Sequence, residues 1–142
     1  MTSCSGRLAT GAPAGATAAP LPAALGGRPL RHVIDARHDS FADQRFIELC
    51  RARGVAICLN DHAVYPLIDE ATADFTYARL MRGVDEFETC YAPADLNAWA
   101  GRLTDHARRG DVFAFFIRGG KSRAPAGALA MAARLNAGGP LP

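Results

Sequence analysis

The residues with chemistry to offer fall in four short groups: Asp35, Arg37 and His38; Asn60, Asp61 and His62; Arg79 and Arg82; and Arg118, Lys121 and Arg123. Each group closes or follows a short apolar run, so each stands where a strand would end. If those strands run parallel, their C-terminal ends face one way and the four groups meet in one polar pocket. Within it Asp35, His38, Asp61 and His62 are the acid/base candidates. Arg37, Arg79, Arg118 and Lys121 are the anion-binding candidates, arginine through its fork of donors and lysine as a point charge.

Plainer readings stand beside these. Asp35 and Arg37 lie two apart on one strand face and make an equally good structural ion pair. His38 and His62 lie beside aspartates, which can orient an imidazole. Together with Asp61 they have the side chains of a metal site but not a recognisable ligand spacing, and no metal is assigned. Gly119, Gly120, Lys121 and Ser122 stand between a strand and a helix like the end of a phosphate-binding P-loop. That motif needs a glycine five positions before Gly120, where this chain has Phe115, so the nucleotide-binding loop is rejected. What survives is a glycine turn whose N–H groups and Lys121 can hold a single phosphate or sulfate, or simply face solvent.

The elements that must position these groups follow from periodicity. Arg31–Arg37 reads as a strand, and Ser40 as the cap of a helix carried by Phe46, Ile47, Leu49 and Cys50 and stopped at Gly54. Val55–Leu59 is a continuous apolar strand, and Ala73–Leu80 alternates with Phe75, Tyr77 and Arg79 on one face. A loop from Met81 to Pro93 is long enough to be functional or mobile. Asp95 caps a helix with Leu96, Trp99, Ala100, Leu103 and Ala107 on its apolar stripe and Gly110 as its stop. Asp111–Ile117 is a strand, and Pro125 begins a final alanine-rich helix that runs to Gly138. Trp99, Phe113, Phe115 and Phe116 are expected in the core. This alternation argues an α/β chain with a parallel sheet, and four βα-like units are half of an eight-stranded barrel.

Residues 1–20 are dominated by Ala, Gly and Pro and read as a disordered tail, with Leu21–Pro29 as a connector. The domain proper is therefore 21–142. Sixteen basic residues against fourteen acidic ones give a net charge of +2, which demands no acidic partner. All but one of the basic residues are arginine, and with the aromatics assigned to the core no nucleic-acid surface is visible. Cys4, Cys50, Cys58 and Cys90 form no CxxC pair, and Cys50 and Cys58 serve as small hydrophobes, so a reduced, cytoplasmic protein without a membrane span is expected.

Four segments in order resemble the YecE-like family, known as domain of unknown function 72: LRHVIDARHDSF (Leu30–Phe41), TADFTYARLMRG (Thr72–Gly83), LNAWA (Leu96–Ala100) and DVFAFFIRGGKSRAP (Asp111–Pro125). The resemblance implies a (β/α)8-type barrel of uncharacterised activity and covers the C-terminal part of the family's pattern. Its opening strands and its early Gly- and Trp-containing motif have no counterpart here. Asp35 stands where the family more often has Glu, and His62 where a small polar residue is commoner. The expectation is thus a partial barrel, a truncated or half-length member with about four parallel strands. If active, it acts by acid/base chemistry on a small phosphorylated or nucleotide-like anion. The alternative is a non-catalytic fragment, or a half-barrel that self-associates through open sheet edges and keeps only anion binding. The cofactor is unknown.

Overall fold

The computed structural model describes residues 30–118 and 120–137. The expected tail over 1–20, the connector over 21–29, Gly119 and the stop at Gly138 lie outside the described residues. Five strands, β1 (Val33–Ile34), β2 (Ala56–Ile57), β3 (Leu59–Asp61), β4 (Phe75–Leu80) and β5 (Asp111–Phe116), alternate with three helices, α1 (Gln44–Arg53), α2 (Pro93–Ala107) and α3 (Gly120–Ala137). β1 pairs with β2, and β3, β4 and β5 pair in that order, every pairing parallel. Cys58 alone separates β2 from β3. Ile57 and Leu59, on either side of it, both point into helix-covered cores, so the two pieces continue one another in phase.

The mixed α/β class with parallel strands is therefore as expected, while several boundaries move. β1 is two residues long instead of seven. Ser40 does not cap α1. It sits in a one-turn 3-10 helix over Asp39–Phe41, where the His38 side chain accepts its N–H, and Asp43 caps α1 by accepting from the Arg45 N–H. A carboxylate there also complements the helix dipole. Gly54 ends α1 at φ +61°, as its place in the sequence predicts. α2 is entered through Ala92 with Pro93 in its first turn, and Asp95 lies inside that turn instead of capping it. α3 begins at Gly120, not at Pro125, which lies within the helix and removes one bond near its start.

The strands have two different faces. On one, Ile57 and Ala36 pack with Ile68, Cys50, Phe46 and Ile47, while Leu59, Ala78, Leu80, Val112, Ala114 and Phe116 pack under Leu96, Trp99, Ala100, Leu103 and Met131. Gly127 lets α3 come close, since a Cβ there would lie 2.7 Å from the Thr89 carbonyl and 2.9 Å from the Phe116 ring. On the other face β5 presents Phe113, Phe115 and Ile117, which are 42%, 43% and 50% exposed. Trp99 and Phe116 join the core as expected, but Phe113 and Phe115 do not: helices cover only the alternate residues of β5. Arg31 reaches across this open face, its guanidinium over the rings of Phe75 and Phe113 and 2.7 Å from Asp111.

Gly110 does more than end a helix. A Cβ there would sit 1.9 Å from the Asp74 carbonyl oxygen. Gly110→Ala should cost about 1–3 kcal/mol in urea unfolding, because backbone cannot yield as a side chain does. Gly101, in α2 with nothing within 4 Å of its Cβ position, is the control: Gly101→Ala should stabilise by about 0.5–1 kcal/mol.

Candidate functional site

Asp35 leaves β1 at its C-terminal end on the open face, where three strands converge on its carboxylate. Oδ2 accepts from Arg37 Nη2 at 2.8 Å and Nε at 3.1 Å, and from Arg79 Nη1 of β4 at 2.5 Å. Oδ1 accepts from Asn60 Nδ2 of β3 at 2.9 Å, and the same amide donates to the Ala36 carbonyl at 3.1 Å. Asn60 is buried and pairs in register with Arg79, so the alternation of β3 and β4 aims both at Asp35. Burial works against ionisation of Asp35. The hydrogen bonds from Arg37 and Asn60 and the charges of Arg37 and Arg79 outweigh it and hold the carboxyl below its usual range. Asp35 is the carboxylate on which Arg37 and Arg79 are both oriented.

Arg37 continues the cluster. Its guanidinium lies 5.3 Å from the Tyr65 ring centroid, and Tyr65 stacks on His62 at 3.8 Å. His62 Nδ1 accepts the N–H groups of Val64 and Tyr65 at 3.1 and 3.2 Å, so the neutral ring carries its proton on Nε2. His38 stands apart, exposed, with Nδ1 bound to the Ser40 hydroxyl at 2.8 Å and to its N–H.

Asp61 does not join Asp35. Its neighbour Asn60 takes the open face, so Asp61 turns to the helix side and accepts from the Tyr91 hydroxyl at 2.5 Å. The same hydroxyl accepts the Arg82 N–H at 2.9 Å. Burial, with Asp61 alongside, pushes the Tyr91 hydroxyl far up, which keeps it protonated and donating. Beside it a cleft of about 430 Å³ is lined by Ala63, Arg82, Gly83, Val84, Asp85, Glu86 and Arg118. Arg123 is bound to Asp85 at 3.0 Å. Among the described residues the side chains of Arg82, Arg118 and Lys121 make no ion pair. The loop between β4 and α2 that frames this cleft is tied internally, Val84 N–H to the Cys90 carbonyl at 2.7 Å and Cys90 N–H to that of Phe87 at 2.9 Å.

The polar groups thus divide between two places: Asp35, Arg37, Arg79 and, through Tyr65, His62 on the open face; Asp61, Arg82 and Arg118 at the helix-side rim. Sequence reasoning missed Tyr65 and Tyr91, whose only signal was an aromatic in a connector. It also passed over His106, a buried side chain set between Thr76 Oγ1 at 2.9 Å and Asp69 Oδ1 at 2.7 Å, with Arg102 on the same aspartate at 2.6 Å. Nucleophile, base and orienter stand in series there, yet Thr76 is buried and absent from the walls of the adjoining cleft, so the series locks α2 to β4. Cys50, Cys58 and Cys90 are buried free thiols, and burial pushes Cys58 up to about 12. No described helix is long and apolar enough to cross a membrane, and among the described residues no three His, Cys, Asp or Glu side chains gather as a metal site would need.

The family model described as "Protein of unknown function DUF72" matches residues 14–141. Two solved structures of DUF72 proteins share the fold. One, from Thermotoga maritima, is 20% identical with a TM-score of 0.56, over 73% of this chain and 45% of that one. The other, from Enterococcus faecalis, is 15% identical with a TM-score of 0.64, over 77% and 50%. The chain spans about half the length of either. None of the curated proteins matches it.

Because the pKa of Asp35 is lower in the folded chain than its ordinary 3.8, its contribution to stability is present above that value. It is lost as pH falls through the folded one. Asp35→Asn should lower the urea midpoint at neutral pH and flatten its decline below about pH 4. An acid limb identical to wild type would show that the arginines do not act on this carboxylate.

Proposed function

The chain belongs to the DUF72 family of proteins of unknown function, and from that premise we propose that it binds a small phosphorylated or nucleotide-like anion at the C-terminal ends of its strands and does acid/base chemistry there. Residues 21–142 are read as the C-terminal half of a (β/α)8-type barrel, with four consecutive strand positions: β1, β2 with β3, β4 and β5. The parallel order, the helices on one face only and the half-length match to solved relatives support that reading.

The observation that carries the ligand is the pair Arg82 and Arg118 on a cleft of about 430 Å³, both without an ion pair among the described residues. The volume suits a small metabolite, and guanidinium forks suit phosphate oxygens. Lys121, at the start of α3, adds a cation that follows β5. Arg79 gives one of its terminal nitrogens to Asp35 and keeps other donors for a ligand. In this scheme His62 moves the proton through Nε2, the ring nitrogen left free by the two N–H groups that Nδ1 accepts. His38, exposed beyond β1, is the other imidazole at this end of the strands. Asp35 positions Arg37 and Arg79, and Asp61, through Tyr91, holds the backbone of Arg82 in place.

Calorimetric titration with inorganic phosphate and with a nucleoside monophosphate tests this. Arg82→Ala and Arg118→Ala should each weaken binding about tenfold or more, the cost of a lost charge-assisted bond, with Arg79→Ala weakening the nucleotide as well. Equal, weak binding by wild type and all three variants would remove the pocket.

A further inference from the structure

We infer that a second copy of this chain covers the open face, the two closing about a two-fold along the barrel axis into one eight-stranded barrel. The inference rests on the half-barrel reading above and is independent of the ligand. Four strand positions lie in consecutive parallel order, and helices cover one face of all of them. The other face carries Val33, Phe113, Phe115 and Ile117, all more than a third exposed, around the Asp35 cluster. Eight is the strand number at which inward side chains just fill a barrel, and two copies supply eight.

The edges fit the same operation. The Ile117 N–H donates to Leu80, so by alternation the N–H groups of Val112, Ala114 and Phe116 face away from β4. The carbonyls of His32 and Ile34 bind β2, so the backbone groups of Val33 and Asp35 face away from it. A two-fold along the barrel axis sets β5 of each copy beside β1 of the other, parallel, and leaves no free edge among the described strands. The Asp35, Arg37 and Arg79 cluster then lies in an enclosed lumen, twice per barrel.

Sedimentation velocity of the full chain across a concentration series should show a dimer that dissociates on dilution and nothing larger. The amides of Val33, Val112, Ala114 and Phe116 should exchange hydrogen slowly in the dimer. Phe113→Asp with Phe115→Asp, at positions already exposed in one copy, should give a monomer with unchanged far-UV circular dichroism and at least tenfold faster exchange at those amides. A monomer at every concentration, open-ended oligomers, or a dimer that survives the double substitution would each overturn the inference, whatever the phosphate titration shows.

Discussion

Successive residues of an extended chain point to opposite faces, and among the described residues helices cover only one of those faces. Nearly everything else follows. Leu80 and Arg79 are neighbours in the chain with opposite fates, as are Phe116 and Phe115: Leu80 and Phe116 pack into a core, while Arg79 and Phe115 face the uncovered side. The helix-covered face is sealed by ordinary apolar burial. The opposite face mixes exposed rings with a charged cluster.

Asp35 shows how a charge survives there. Taken alone, a partly buried carboxylate at a strand end would resist ionisation. Here Arg37 comes from the segment that follows β1, Asn60 from β3 and Arg79 from β4, so the carboxylate ties the end of β1 to two further strands through side chains. Such a centre favours one register: a slip of one residue in β4 would replace Arg79 with Ala78 or Leu80 and leave the carboxylate without one of its two arginines. The same three side chains that fix the register are also the polar groups that this face presents.

The rim is built on a different principle. Asp61 accepts from the buried Tyr91 hydroxyl, which in turn accepts the Arg82 N–H, and the tied loop after β4 holds Arg82 on the same cleft as Arg118. The arginines of the rim are oriented by backbone and loop geometry instead of by carboxylate partners. That difference separates cations which hold the protein together from cations with donors to give.

The parallel α/β alternation, the helix stripes of α1 and α2, the Gly54 stop and the clustering of Asp35, Arg37 and Arg79 were all legible in the residues, because each depends on local periodicity or on the direction of a strand. The family resemblance was legible too, in four motifs kept in order. Cap positions shifted because Ser40 and Asp43 are both competent caps, and only the surrounding turn selects between them. The separation of Asp61 from Asp35, the stacking of Tyr65 between Arg37 and His62, and the exposure of Phe113 and Phe115 were decided by tertiary structure alone. A sequence states which residues alternate, but which of two faces receives a helix depends on where distant segments pack.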